Sequence, residues 1–296
     1  MIYPCLRRRS PGYPPLLCEL HDPPQQLFLR GGPAELLARR AVAVVGARSC
    51  SPYGAQVGRS VARELAAAGA VVVSGLARGI DAEAHRGALE AGGVTVAVLG
   101  CGIDRDYPRG NAELARRICE QGLIVSEYGP GVEPAPWRFP ARNRILAGLA
   151  LATIVVEARE RSGALITADF ALELGRDVFA VPGEITSALS VGTNDLLRQG
   201  AAPLVAAEDV LDAIGLERQA QPSAGRLSPS AEAVLAALAA GSRTADELAA
   251  ATGLAGAKVS ATLVALELEG LVAGADGVYR PAALSPGRSR DAPAPA

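Results

Sequence analysis

The residues best suited to chemistry lie between Pro134 and Val156. Arg138, Arg142 and Arg144 sit close together there, Trp137 and Phe139 interleave with them, and no acidic residue interrupts the stretch. Arginine forks match phosphate oxygens, and aromatic faces match unstacked bases. The pattern also fits a loop whose rings anchor the core and whose arginines are solvated. Asp81 and His85 are four apart and can share a helix face. Asp81 follows Gly79-Ile80 and reads as a helix N-cap, with His85 packed nearby. Glu157 ends an apolar run, as a general base or as the partner of an arginine. The structural reading is preferred for both groups, so no catalytic residue is expected.

Metal chemistry is not indicated. Cys5, Cys18, Cys50, Cys101 and Cys119 include no C-x-x-C pair, and His21 and His85 are the two histidines. This usage suits a reducing cytoplasm rather than a zinc site or a disulfide framework. No apolar run approaches the roughly 20 residues of a membrane span. The early arginines Arg7, Arg8 and Arg9 lead into Ser-Pro-Gly rather than an apolar segment, so no secretory signal is read.

The elements that must position these groups follow a clear rhythm. Short apolar runs recur at 41–45, 70–73, 94–99, 123–125, 152–156, 178–181 and 204–205, with helical stretches at 56–68, 82–91, 112–120 and 167–174. Strands alternating with helices predict a doubly wound α/β domain around a mostly parallel sheet of six or seven strands. Ligands of such sheets bind beyond the carboxyl ends of the strands. Those ends carry Gly46, Arg48 and Ser49 after the first run, and Gly75, Arg78 and Gly79 after the second. Glycine lets backbone approach a ligand, and amides at a helix start favour anions, so a phosphate-bearing ligand is expected.

A nicotinamide or flavin cofactor is not expected. Gly46 is followed by Ala47-Arg48-Ser49-Cys50-Ser51 instead of G-x-G-x-x-G, and Ser74-Gly75 stands where an acidic residue would hold a ribose. A Walker A loop is excluded because Lys258, the sole lysine, lies far downstream. With 29 basic and 31 acidic residues the chain is not globally basic, so any polyanion site must be a local patch.

Composition divides the chain. Residues 1–40 read as an extended lead-in with one edge strand at Leu27–Leu29, 41–215 as the large domain and 216–227 as a linker. Residues 228–281 read as a winged helix, and 282–296 as a disordered tail. In the small module Ser228-Pro229 starts one helix and Thr244–Glu247 forms a capping box for the second. The third helix, 257–269, precedes a hairpin around Asp276-Gly277. That third helix offers only Lys258, Ser260 and Thr262 for duplex contacts, which favours protein contact or an accessory role over sequence-specific readout.

Several ordered motifs together resemble DprA, also called Smf, the bacterial DNA-processing protein A family. They are Val44–Arg48, Val73–His85, Ser126–Tyr128, Phe139–Ile145, Glu157-Ala158 with Ser162–Ala168, Gly175–Gly183 and Gly192–Asn194. The resemblance spans about residues 12–205. It implies an extended Rossmann fold that binds single-stranded DNA, protects incoming strands in natural transformation and helps load the RecA recombinase. It also implies a homodimer without enzyme activity. Matched motifs place Arg48, Phe139, Arg142 and Asn143 along the DNA groove, with Ser162, Gly163 and Thr167 giving amides and hydroxyls at a helix start. Leu172, Leu174, Leu189, Leu196 and Leu197 are candidate dimer contacts. Many members carry a small helical domain before the segment matching Tyr13-Pro14-Pro15, and here a short lead-in stands in its place. Two alternatives remain: a Rossmann-like enzyme cleaving nucleoside monophosphates, and a module acting through the winged helix alone.

Overall fold

Valine-rich runs can be buried on both faces only inside a parallel sheet covered by helices, and the computed structural model has this arrangement. It describes residues 3–217, 228–241, 243–268, 271–275 and 277–281. The linker from 218 and the tail from 282 lie outside them, as do Glu269 and Asp276. Two compact units divide at 218/219.

In the first unit the strands are β1 (Cys5–Arg7), β2 (Gln26–Gly31), β3 (Ala41–Val45), β4 (Val71–Ser74), β5 (Thr95–Leu99), β6 (Leu123–Ser126), β7 (Ala152–Val155), β8 (Asp177–Ala180) and β9 (Ala202–Pro203). The helices are α1 (Pro52–Ala67), α2 (Ile80–Glu90), α3 (Ala112–Gln121), α4 (Arg138–Leu149), α5 (Gly163–Glu173), α6 (Val191–Arg198) and α7 (Ala207–Ala213). The sheet order is β1-β2-β6-β5-β4-β3-β7-β8-β9. From β6 to β9 every pairing is parallel, and β1 and β2 add on antiparallel. The chain builds outward from β3 through β6, then returns to lay β7 on β3's other side. The crevice at this reversal is where such folds place ligands.

Three expectations need correction. The sheet has nine strands, because the seven parallel strands expected are joined by two from the lead-in. Residues 1–40 are therefore part of this unit, with two strands instead of one. Leu17 and Leu27 are fully buried, and Arg176 fastens the segment by donating to Leu16 O (3.1 Å) and Glu19 (3.0 Å). The other Arg176 nitrogen donates to Ala147 O and Ala150 O at the end of α4. Third, the basic–aromatic stretch, for which a loop is one of the two readings, is helical over α4, with Pro140 in its first turn. Proline is tolerated in a helix's first turn, where its missing N–H has no partner to lose.

The second unit comprises α8 (Pro229–Leu238), β10 (Arg243–Thr244), α9 (Ala245–Thr252), α10 (Gly256–Leu268), β11 (Val272–Ala275) and β12 (Val278–Pro281). Ser228 caps α8, Thr244 and Glu247 cap α9 reciprocally, and Val234, Leu248, Leu263 and Leu266 form the core. On α10, Lys258, Ser260 and Ala261 are exposed, while the Thr262 hydroxyl turns back to Lys258 O. No single described helix is long and apolar enough to cross a membrane.

Removing the Arg176 clamp should leave four buried or half-buried carbonyl and carboxylate contacts unmade. Arg176→Ala is expected to lower stability by about 2–4 kcal/mol, measured by urea unfolding, with greater proteolytic access to residues 8–24.

Candidate nucleic-acid interface

A cavity of about 370 Å³ opens beyond the ends of β3 and β7. Its walls come from the turn after β3 (Gly46, Arg48), from α4 (Phe139, Arg142, Asn143) and from the start of α5 (Ser162, Gly163, Thr167). A second cavity of about 280 Å³ shares Arg48, Phe139 and Arg142 and extends over β4 and β5 to Gly75, Arg78 and Tyr107.

Arg142 decides the shape of both. It is buried at 4% exposure and donates to Gly75 O (2.8 Å), to Val98 O and to Asn143 Oδ1 (3.1 Å). It thus ties the last residues of β4 and β5 to α4. No Cβ fits at Gly75, because the guanidinium occupies that space. Asp81 lies near this charge and accepts from Ala77 N at 3.3 Å. Burial pushes its carboxyl up, opposed by Arg142. Asp81 is not an N-cap: Gly79 holds that position at φ +75°, packed so tightly on Ala47 O that a side chain would collide. Leu76, with φ +58° and fully buried, adds strain to the same turn.

The start of α5 is open. The Ser162 side chain accepts from Ala164 N at 3.3 Å, and the space beside Gly163 is empty. Asn143 donates to Gly163 O at 2.8 Å. That carbonyl lies four residues before Thr167 and is the usual partner of a helical threonine hydroxyl. Thr167 is 1% exposed, and its Oγ1 has no hydrogen-bond partner. Arg48 is exposed, lies 5.4 Å from the Phe139 ring centroid and has no ion pair among the described residues.

The start of α1 is closed by contrast. Glu157, 5% exposed, accepts from Ser51 N at 2.9 Å and from the Ser51 hydroxyl, which in turn caps α1 by accepting from Gly54 N. The carboxylate is thus a structural anion in the first turn.

Most of the expected site residues converge. Gly46, Arg48, Phe139, Arg142, Asn143, Ser162, Gly163 and Thr167 line the first cavity, and Gly75 and Arg78 the second. Ser49 is exposed beside Arg48 without lining either. Arg138 stacks on Tyr128 and Trp137 and donates to Glu133 O. Arg144 lies elsewhere: it pairs with Glu127 at 2.7 Å and Asp22 at 3.5 Å. Sequence reasoning missed Tyr107, stacked on Phe139 at 5.4 Å. The run Tyr107–Asn111 carries turn residues with an aromatic and an arginine after β5, the signal used at other strand ends. No group of three or more potential metal ligands occurs among the described residues.

The family model for DNA recombination-mediator protein A matches residues 5–215, and that of the DprA winged helix domain matches 218–277. This chain belongs to the DNA recombination-mediator protein A family. DNA processing protein DprA of Streptococcus pneumoniae is 49% identical over 199 residues, 67% of this chain and 70% of the relative. That of Bacillus subtilis is 41% identical over 203 residues, covering 69% and 68%. The X-ray structure of the pneumococcal DprA superposes with a TM-score of 0.69 at 46% identity, over 73% of this chain and 75% of that one. A Helicobacter pylori DNA processing protein A, whose structure concerns a single-stranded DNA binding mode, gives 0.65 at 33% identity, over 72% and 95%. The fold of the DprA family and its winged helix are thus both present.

Two outcomes follow from the buried groups. Arg142→Ala leaves the buried Gly75 and Val98 carbonyls and Asn143 Oδ1 without their donor and should cost about 2–4 kcal/mol in chemical denaturation. His85 is fully buried with Nδ1 2.6 Å from Thr95 Oγ1; burial, then the Arg142 and Arg86 charges, holds its pKa down at about 3. The unfolded chain takes up this proton near pH 6.5 and the folded chain does not. Stability should therefore be full above about pH 6.5 and fall as pH drops toward 3, by up to about 1.4 kcal/mol per unit. Urea titrations of His85→Gln across this range should show a slope shallower by one proton.

Proposed function

We propose that this protein binds single-stranded DNA in the cavity at the start of α5 and delivers the strand to a RecA-type recombinase. One convergence carries the reading. An open helix N-terminus, an arginine lacking a carboxylate partner and a buried hydroxyl lacking any partner meet in one cavity. A phosphodiester suits all three: the amides and helix dipole accept its charge, Arg48 adds a charge-assisted bond and Thr167 donates. Phe139 lies alongside with its ring against Tyr107 and Arg48, and the exposed Tyr107 ring continues this aromatic wall toward an unstacked base. A duplex keeps its bases stacked inside and gains less from this wall. The names of the relatives and the Helicobacter structure's subject support the same ligand.

The finer parts of the reading rest on the family resemblance: protection of incoming strands in natural transformation, a cytoplasmic location and a homodimer. Of the candidate dimer contacts, Leu172 is exposed, Leu174, Leu189 and Leu197 are half-buried, and Leu196 is core. Ile185 and Val205 add exposed apolar surface in the same half of the chain. The protein is proposed to act by binding alone. The alternative, cleavage of nucleoside monophosphates, would place its carboxylate after β7, where Glu157 is held by Ser51 and Glu160 is exposed.

Gel shifts with single- and double-stranded oligonucleotides at two salt concentrations test the proposal. Single strands should bind more tightly, and affinity should fall with salt as counterions are released. Arg48→Ala should lose about 1.5–3 kcal/mol of binding and Thr167→Val about 1 kcal/mol, both with unchanged circular dichroism. Equal or tighter binding of blunt duplex, or release of free base from nucleoside monophosphates, contradicts it.

A further inference from the structure

The cavity measures about 370 Å³, too small for a long strand, which must leave it along one of two paths. One path crosses β4 and β5, the other β7 and β8. Charge separates them. On the β4–β5 side the turns carry Arg78 and Arg109, both exposed and without an ion pair among the described residues. The carboxylates there are already committed: Asp106 to Arg30 at 2.7 Å, Glu133 to Arg105 at 2.6 Å and Glu113 to Arg116. On the β7–β8 side Arg159 and Arg161 flank the exposed Glu160, and exposed Glu184 follows β8. Neither carboxylate has a cation partner among the described residues. A polyanion therefore meets uncompensated positive charge on the first path and mixed charge on the second.

The first path is also built. Asn111, buried, donates to Leu76 O at 2.9 Å and Ala77 O at 3.2 Å, fixing the Tyr107–Asn111 turn onto the turn bearing Arg78. Tyr107, 43% exposed, stacks on Phe139 at an interplanar angle of 22°, continuing the aromatic wall of the cavity outward. Arginines beyond the ends of adjacent strands, with a ring between cavity and rim, make a track of phosphate ligands and a stacking face.

We propose that single-stranded DNA leaves the cavity across β4 and β5, over Tyr107, with Arg78 and Arg109 holding successive phosphates. The proposal rests on the single-strand reading above and adds the direction and two residues, Tyr107 and Arg109, to it. Fluorescence anisotropy of oligothymidylates in salt titrations tests it with the full chain. Each lost phosphate contact lowers the slope of log affinity against log salt by about 0.7 for a single strand. The double variant Arg78→Ala/Arg109→Ala should lower the slope by about 1.4, and Tyr107→Ala should weaken binding about tenfold, with Tyr107→Phe restoring it. Arg159→Ala/Arg161→Ala should leave the slope in place. All five positions are exposed, so folding is not at risk. An unchanged slope in the first double variant, or a larger loss in the second, overturns the direction while leaving single-strand binding intact. Absence of binding by the unaltered chain removes the underlying reading and the path with it.

Discussion

A guanidinium buried at the centre of the sheet's carboxyl edge sets the geometry of everything above it. Arg142 reaches from α4 to the terminal carbonyls of β4 and β5 and shares its charge with Asp81 on α2. Four elements therefore meet at one side chain. Desolvating that charge is unfavourable by itself and is offset only because carbonyl, amide and carboxylate oxygens surround it. The same contacts keep Phe139 and Asn143, its neighbours on α4, on the cavity wall. This arginine, which the sequence offers as a phosphate ligand, is first a strut. Arg48, exposed and unpaired, is free to meet a ligand.

The site also depends on an asymmetry between two helix starts. Both α1 and α5 begin beside the crevice, and both present amides there. The start of α1 is filled from within by Glu157 through Ser51, and the start of α5 is left open with an orphaned hydroxyl beneath it. The fold thus has the Rossmann reversal point without its usual phosphate turn, in keeping with a first loop that lacks G-x-G-x-x-G.

Much of this was legible in the sequence. Six of the seven parallel strands announced themselves as apolar, mostly valine-bearing runs because burial on both faces removes polar alternation; the seventh run, 204–205, missed β9, which is the two-residue, unburied Ala202–Pro203. Of the lead-in strands β2 was legible through Leu27–Leu29, but β1, three residues long, was not. Helix α4 was not legible, because Pro134 and Pro136 precede it and Pro140 stands in its first turn. Local sequence shows charge and type, but not which side of a helix faces a partner far along the chain. Arg142 and Arg144 are two residues apart, yet one turns inward to the Gly75 and Val98 carbonyls while the other meets Glu127 and Asp22. Thr167 could be named from motif resemblance, whereas its missing partner is visible only once Asn143 is seen to take the Gly163 carbonyl.

Glu157 bears on selectivity as a matter of effective molarity. A carboxylate held by its own backbone meets Ser51 at a local concentration that dissolved ligands do not match, and its binding carries no translational entropy cost. A free mononucleotide seeking the first turn competes against an intramolecular anion that never diffuses away. Changes in the nucleotide pool therefore have little leverage on that turn.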